Sequence, residues 1–171
     1  NGGAHREIIA AGLTPVLYDL DEANEFEMVS DGRPVDVHLK VDTGMHRLGF
    51  PGDQLQSVAE RLRRLDHGRP PILMSHFACA DDAGDPATER QIRRFDAVAG
   101  ALDAPVSLAN SAALLNVPES HRDYVRPGIL LYGISPLAGM TGADHGLRAV
   151  MSLSCRLLAI NTVEAGERVG Y

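Results

Sequence analysis

The chain has 171 residues, of which 44% are hydrophobic and 23% charged, and its formal net charge is −7. That length and apolar share suit an ordinary globular core, and the acidic balance excludes nucleic acid and an anionic membrane surface as expected partners. Two distant cysteines, Cys79 and Cys155, with no signal peptide and no apolar run of membrane-spanning length, read as a reduced, cytoplasmic protein.

The sequence opens "NGGAHREII" without a methionine, as a piece of something longer would. Strand-like and helical stretches then alternate. The β-branched and apolar runs 14–20, 34–42, 71–80, 105–110 and 124–133 read as buried strands. Between them, Leu55, Val58 and Leu62 repeat at helical spacing. A second helix begins at Asp85 as N-cap with Pro86 at its first position, turning Ile92, Phe95 and Ala99 inward. The arginines at 61, 63, 64, 90, 93 and 94 fall on the outer faces of these helices and read as solvated. Such alternation implies a parallel sheet with helical crossovers, either doubly wound or a (β/α) barrel. After Pro136 the pattern changes. "LAGMTGADHG" is a Gly-rich connection, and from Val150 apolar and polar residues alternate as in a half-exposed antiparallel strand, so a domain boundary is expected within 138–147.

In α/β architectures the chemistry gathers where strands end. The polar residues there are Lys40, Asp42 and Arg47; Ser75, His76 and Asp81; Asn110 and Ser111; and Arg126 with Gly128. Lys40 in an apolar strand needs a partner or an altered charge; it either pairs with Asp42 at the rim or serves a site. Arg47 is either a surface arginine or a bidentate carboxylate clamp. His76 reads equally as a satisfied core histidine, and "HFACADD" has no metal-ligand spacing. Asn110 and Ser111 cap a short helix or meet a phosphate there. Pro127-Gly128 interrupts strand geometry and lets the backbone approach a ligand. Phosphate sites built after the last two strands of a barrel recur.

The strings "HLKVDTGMHRLGF", "SHFACADD", "LANSAALL", "YVRPGILLYGISPL" and "AGERVGY", in this order and spacing, resemble the alanine racemases, pyridoxal-phosphate (PLP) enzymes of fold type III. The resemblance runs over essentially all 171 residues. It implies α/β architecture: the last five strand–helix units of a (β/α)8 TIM-like barrel over 1–140, then the beginning of a mostly β domain over 147–171. By motif position Arg126 resembles the arginine that meets the PLP ring nitrogen. Ser111, Gly128 and Ile129 resemble its phosphate contacts, with Asn110 supporting them. Arg47 is similar to the residue between the PLP phenolic oxygen and the substrate carboxylate, and Lys40 to a lysine that is often carbamylated. His76 resembles the histidine linking the arginine to the catalytic tyrosine, which Tyr171 matches.

Racemisation removes a proton from one face and returns one to the other, so two bases are needed. The resemblance implies a lysine, which also carries the cofactor, and Tyr171. A free tyrosine has a pKa of about 10 and needs cationic or hydrogen-bonding neighbours to work near neutrality; His76 backed by Arg126 would supply them. It further implies a homodimer in which Tyr171 serves the partner's site, alanine as substrate, and D-alanine supplied to cell-wall peptidoglycan. The cofactor lysine's segment is not found among these residues, so the 171-residue chain by itself is expected to be inactive. The alternatives are a broader-specificity amino-acid racemase, a non-catalytic PLP-barrel binding protein, a barrel binding a phosphorylated sugar, and a decarboxylase of the same barrel type.

Overall fold

The computed structural model describes residues 2–31, 33, 35–65, 70–100 and 102–170. Helix α1 (Gly2–Ala10) leads to strand β1 (Val16–Leu17), then α2 (Leu20–Ser30), β2 (His38–Lys40), α3 (Gly52–Leu65), β3 (Ile72–Met74), α4 (Ala87–Ala99), β4 (Val106–Ser107) and α5 (Ser111–Asn116). All strand pairs are parallel, in the spatial order β1-β2-β3-β4. A sheet whose neighbours follow chain order, each joined through a helix, has barrel topology; no strand is skipped as in a doubly wound sheet.

Helix boundaries follow local chemistry. Asp19, in extended geometry, accepts from the backbone N–H of Glu22 at 2.8 Å and starts α2. Asp85 accepts from Ala87 N at 2.8 Å, so it caps α4 across Pro86 as its sequence position suggests.

The strands bury one row completely. Leu17, Leu39 and Leu73 stand in register and are fully buried against Phe26 of α2, Leu55 and Val58 of α3, and Phe95 of α4. Each such side chain is worth about 1.5–3 kcal/mol relative to exposure. Because side chains alternate across a sheet, the intervening residues face the other way. Lys40, Met74 and Ser107 form the next row in register, and His38 and Ile72 the one before it. This inner face carries the polar groups.

Two stretches differ from expectation. Residues 124–133 do not form a strand: only Tyr124 makes a parallel bridge, to Ser107, and the chain then enters a 3₁₀ helix over Gly128–Tyr132. Pro127 offers no N–H to a ladder, and Gly128 has a positive φ of 46°, so pairing stops there. The fifth strand position is thus marked by one bridge. The alternating segment from Val150 onward forms no strand either. Residues 150–170 are exposed and carry no helix or strand, because an alternating run becomes a strand only against a partner. Among the described residues no helix is long and apolar enough to cross a membrane. Tyr171 lies outside the described residues.

Candidate active site

Arg126 organises the inner face. Its backbone N–H donates to Ala109 O at 2.9 Å, which aims the side chain across the strand ends. One guanidinium nitrogen donates to Ser107 O at 2.9 Å and Ser107 Oγ at 2.6 Å; the other donates to Ser75 O at 2.6 Å and Leu108 O at 3.2 Å. All these acceptors are neutral, so the charge is fixed in place without being cancelled. Burial pulls its pKa below the ordinary guanidinium value, and it stays cationic at any physiological pH.

Around it the cations accumulate. Burial, then Arg126, then Arg47 and Lys40 hold the His76 imidazole below its ordinary 6.5. Burial, then Arg47 and Arg126, lower Lys40 from 10.5, with Asp42 acting weakly in the other direction. His38 is lowered by burial and by Arg126. The rim pairing of Lys40 with Asp42 does not form. Asp42 instead accepts from Gly44 N at 2.9 Å, from His46 N at 3.1 Å and from His46 Nδ1 at 3.1 Å, shaping the loop that follows β2. Arg47 is exposed on that loop, and among the described residues neither its side chain nor that of Lys40 makes a hydrogen bond or ion pair.

Alongside lies a cavity of about 670 Å³, lined by His76, Asp81, Asn110, Ser111, Arg126, Gly128 and Ile129 among others. Asn110 has both roles weighed from the sequence within reach: its side chain caps Ala113 N at 3.0 Å and borders the cavity. Ser111 Oγ donates to Pro127 O and accepts from Leu130 N at 3.4 Å. A Cβ on Gly128 would lie 3.1 Å from Ser111 Oγ, so only glycine leaves this corner open. The cavity therefore gathers His76, Asn110, Ser111, Arg126, Gly128 and Ile129, while Lys40 and Arg47 act on it electrostatically and do not line it. No group of three His, Cys, Asp or Glu among the described residues could hold a metal ion.

Sequence reasoning missed Ser107, Thr43 and Gln91. The last was legible: Thr88, Gln91, Ile92, Phe95 and Ala99 form the buried stripe of α4, and a glutamine within it demands a partner.

The lowered histidines have a stability consequence. A group whose pKa is lower folded than unfolded binds more protons in the unfolded chain, so acid favours unfolding. The full-length protein should lose stability as pH falls through about 6.5, and His76→Gln should flatten that loss. Denaturation midpoints measured from pH 8 to 5 test it; identical slopes for both proteins would remove His76 from the account.

Fold and site together define a parallel (β/α) barrel segment whose strand ends border a pocket that holds Arg126, with Lys40 and Arg47 nearby. The chain belongs to the alanine racemase family: residues 2–136 match the family model described as "Alanine racemase, N-terminal domain". Alanine racemase of Shewanella loihica is 42% identical over 165 residues, covering 96% of this chain and 46% of that protein. The crystal structure of biosynthetic alanine racemase from Pseudomonas aeruginosa superposes with a TM-score of 0.88 at 40% identity, covering 100% of this chain and 48% of that one. That of alanine racemase from Bartonella henselae, titled as having covalently bound pyridoxal phosphate, gives 0.72 at 27% identity, with coverage of 85% and 42%. The chain spans about half the length of these relatives.

Proposed function

We propose that the protein of which this chain is part interconverts L- and D-alanine with pyridoxal phosphate. The observation that carries the reading is the uncancelled Arg126 charge beside the open Ser111–Gly128 corner. The residues present fit the cofactor. Ser111, its hydroxyl turned away from Pro127 O, and the backbone at Gly128 and Ile129 would hold its phosphate, with Asn110 supporting them, and Arg126 would meet its ring nitrogen through the Nε–H, the donor its protein acceptors leave free. When bound, the group supplies an electron sink that acidifies the α-carbon of an amino acid. Arg126, a fixed donor that stays charged and does not readily give up a proton, would disfavour protonation of that nitrogen and so temper the sink.

Arg47 would bind the substrate carboxylate through its guanidinium fork. Lys40, with its pKa lowered, keeps a larger share of neutral amine, the form that adds carbon dioxide; as a carbamate it would become an anion facing Arg47. Tyr171 would take or return the proton on one face of the α-carbon. His76, kept neutral by burial and its cationic neighbours, is fit to accept a hydrogen bond from that side. The base for the other face is the family's lysine, which belongs to the part of the relatives' length not spanned here; residues 1–171 alone would not turn over.

The same reading carries a homodimer with Tyr171 in the partner's site, a second, mostly β domain beginning at 147–171, a cytoplasmic location and supply of D-alanine for peptidoglycan. The decisive assay is L- to D-alanine conversion by the full-length protein, with and without pyridoxal phosphate. Activity should require the cofactor, and Tyr171→Phe should lower it at least about 100-fold. Undiminished α-proton exchange in that variant would remove Tyr171 from the reaction, and no conversion by the wild type would favour a non-catalytic binding protein.

A further inference from the structure

Behind the cavity, on the helix side of the sheet, lies a buried polar knot of Thr43, Ser75 and Gln91, at 3%, 2% and 3% exposure. Gln91 reaches in from α4 and uses its whole amide. Its oxygen accepts from Ala78 N at 2.9 Å, and its nitrogen donates to His76 O at 2.9 Å and to Thr43 Oγ1 at 3.2 Å. Ser75 Oγ donates to Val41 O at 2.8 Å, so the 2.8 Å contact between the Thr43 and Ser75 hydroxyls must have Thr43 as donor. Proton roles are therefore fixed along the chain Gln91, Thr43, Ser75, Val41. Arg94 adds a bond to Thr43 O at 3.2 Å from the same helix.

The knot joins the end of β2 to the end of β3. The first leads into the loop bearing Arg47; the second bears His76 and, through Ser75 O, receives Arg126. On the inner face Lys40, Arg47 and Arg126 repel one another and disfavour a charge on His76. That repulsion works against holding the strand ends together, and a carboxylate at position 91 would lose the bond to His76 O and weaken the positive potential. A neutral amide opposes the repulsion by geometry alone.

We propose that Gln91 is a positioning residue that clamps the loop 43–47 against His76, and that its uncharged amide preserves the site's attraction for anionic ligands. Its kinetic consequence rests on the reading of Arg47 as the carboxylate-binding group. The test uses the full-length protein with pyridoxal phosphate and the variants Gln91→Leu, Thr43→Val and Arg47→Ala. In Gln91→Leu, amide hydrogen exchange should quicken roughly tenfold over 43–49 and 76–79 while 95–99 in α4 is unchanged, and the KM for alanine should rise roughly tenfold with kcat within about threefold. Thr43→Val, nearly isosteric, should loosen 43–49 in the same way and stands in if Gln91→Leu does not fold. Unchanged exchange in both loops, or faster exchange confined to α4, overturns the proposal. So does a KM that rises in Arg47→Ala and stays put in Gln91→Leu. If the loops loosen and neither variant moves KM, the clamp stands and the role given to Arg47 falls.

Discussion

Arg126→Met should lower the stability of the full-length protein by roughly 3 kcal/mol and raise the pKa of His76. The guanidinium satisfies three backbone carbonyls and the Ser107 hydroxyl, and methionine satisfies none of them. Ser107 O keeps the Ser75 N–H at 3.3 Å, and each other buried acceptor left without a donor costs about 1–3 kcal/mol. Part of that is offset, because burying the arginine is itself unfavourable and its loss relieves repulsion with Lys40 and His76. The second readout separates this account from simple loss of packing. Arg126 is the largest cationic influence on His76, so its removal must let the imidazole titrate closer to 6.5. Urea denaturation and an NMR titration of His76 make the two measurements. An unchanged titration with lowered stability would mean that Arg126 holds the strand ends together without tuning them. Arg126→Lys should recover little, since a point ammonium cannot reach acceptors on two strands at once.

Gly49→Ala should be nearly as damaging, although it touches no group with chemistry of its own. Gly49 adopts φ of +139°, and a Cβ there would come within 2.5 Å of Asp42 N and 2.8 Å of Val41 C. Both are backbone atoms, so nothing flexible can yield. The close approach exists because Phe50 pairs back onto the strand end, donating to Lys40 O at 2.7 Å and accepting from Asp42 N at 3.0 Å. That pairing closes the loop on which Arg47 rides. A methyl group should break it, at a cost of about 3 kcal/mol, and shift the loop. Gly12→Ala is the matched control: its φ is +65° and a Cβ there meets nothing within 4 Å. It should cost only about 1–2 kcal/mol, the intrinsic penalty of a left-handed residue. Equal denaturation midpoints for the two variants would refute the steric argument.

Much of this was legible beforehand because it is local. The apolar runs of the first four strands, the Asp85 cap and the inward stripe of α4 each follow from periodicity or from one hydrogen bond. The charged strand-end residues were legible because they are out of place among apolar neighbours. What stayed hidden depends on how distant segments meet. Thr43, Ser75 and Gln91 are 16 to 48 residues apart and become partners only once α4 lies across the ends of β2 and β3. Arg126 was visible as an arginine at a strand end, whereas most of its acceptors are backbone carbonyls, which no sequence displays. The run 124–133 misled because apolar content suggests a strand while Pro127 and Gly128 forbid the ladder. The alternating tail from Val150 misled in another way: a period of two describes the face a strand would present and does not supply the strand to pair with.

The order β1-β2-β3-β4 also bears on how the chain is made. A ribosome releases residues from the N-terminus, and domains begin to fold as they emerge. Here each strand after β1 follows a partner that has left the ribosome before it, along with the helix that bridges them. A newly exposed edge need not wait for a distant segment, so the sheet can widen one unit at a time. Arg126 comes after β4 and reaches Ser75, Ser107 and Leu108, already set in place. Arg126 thus follows in the chain the carbonyls that receive it.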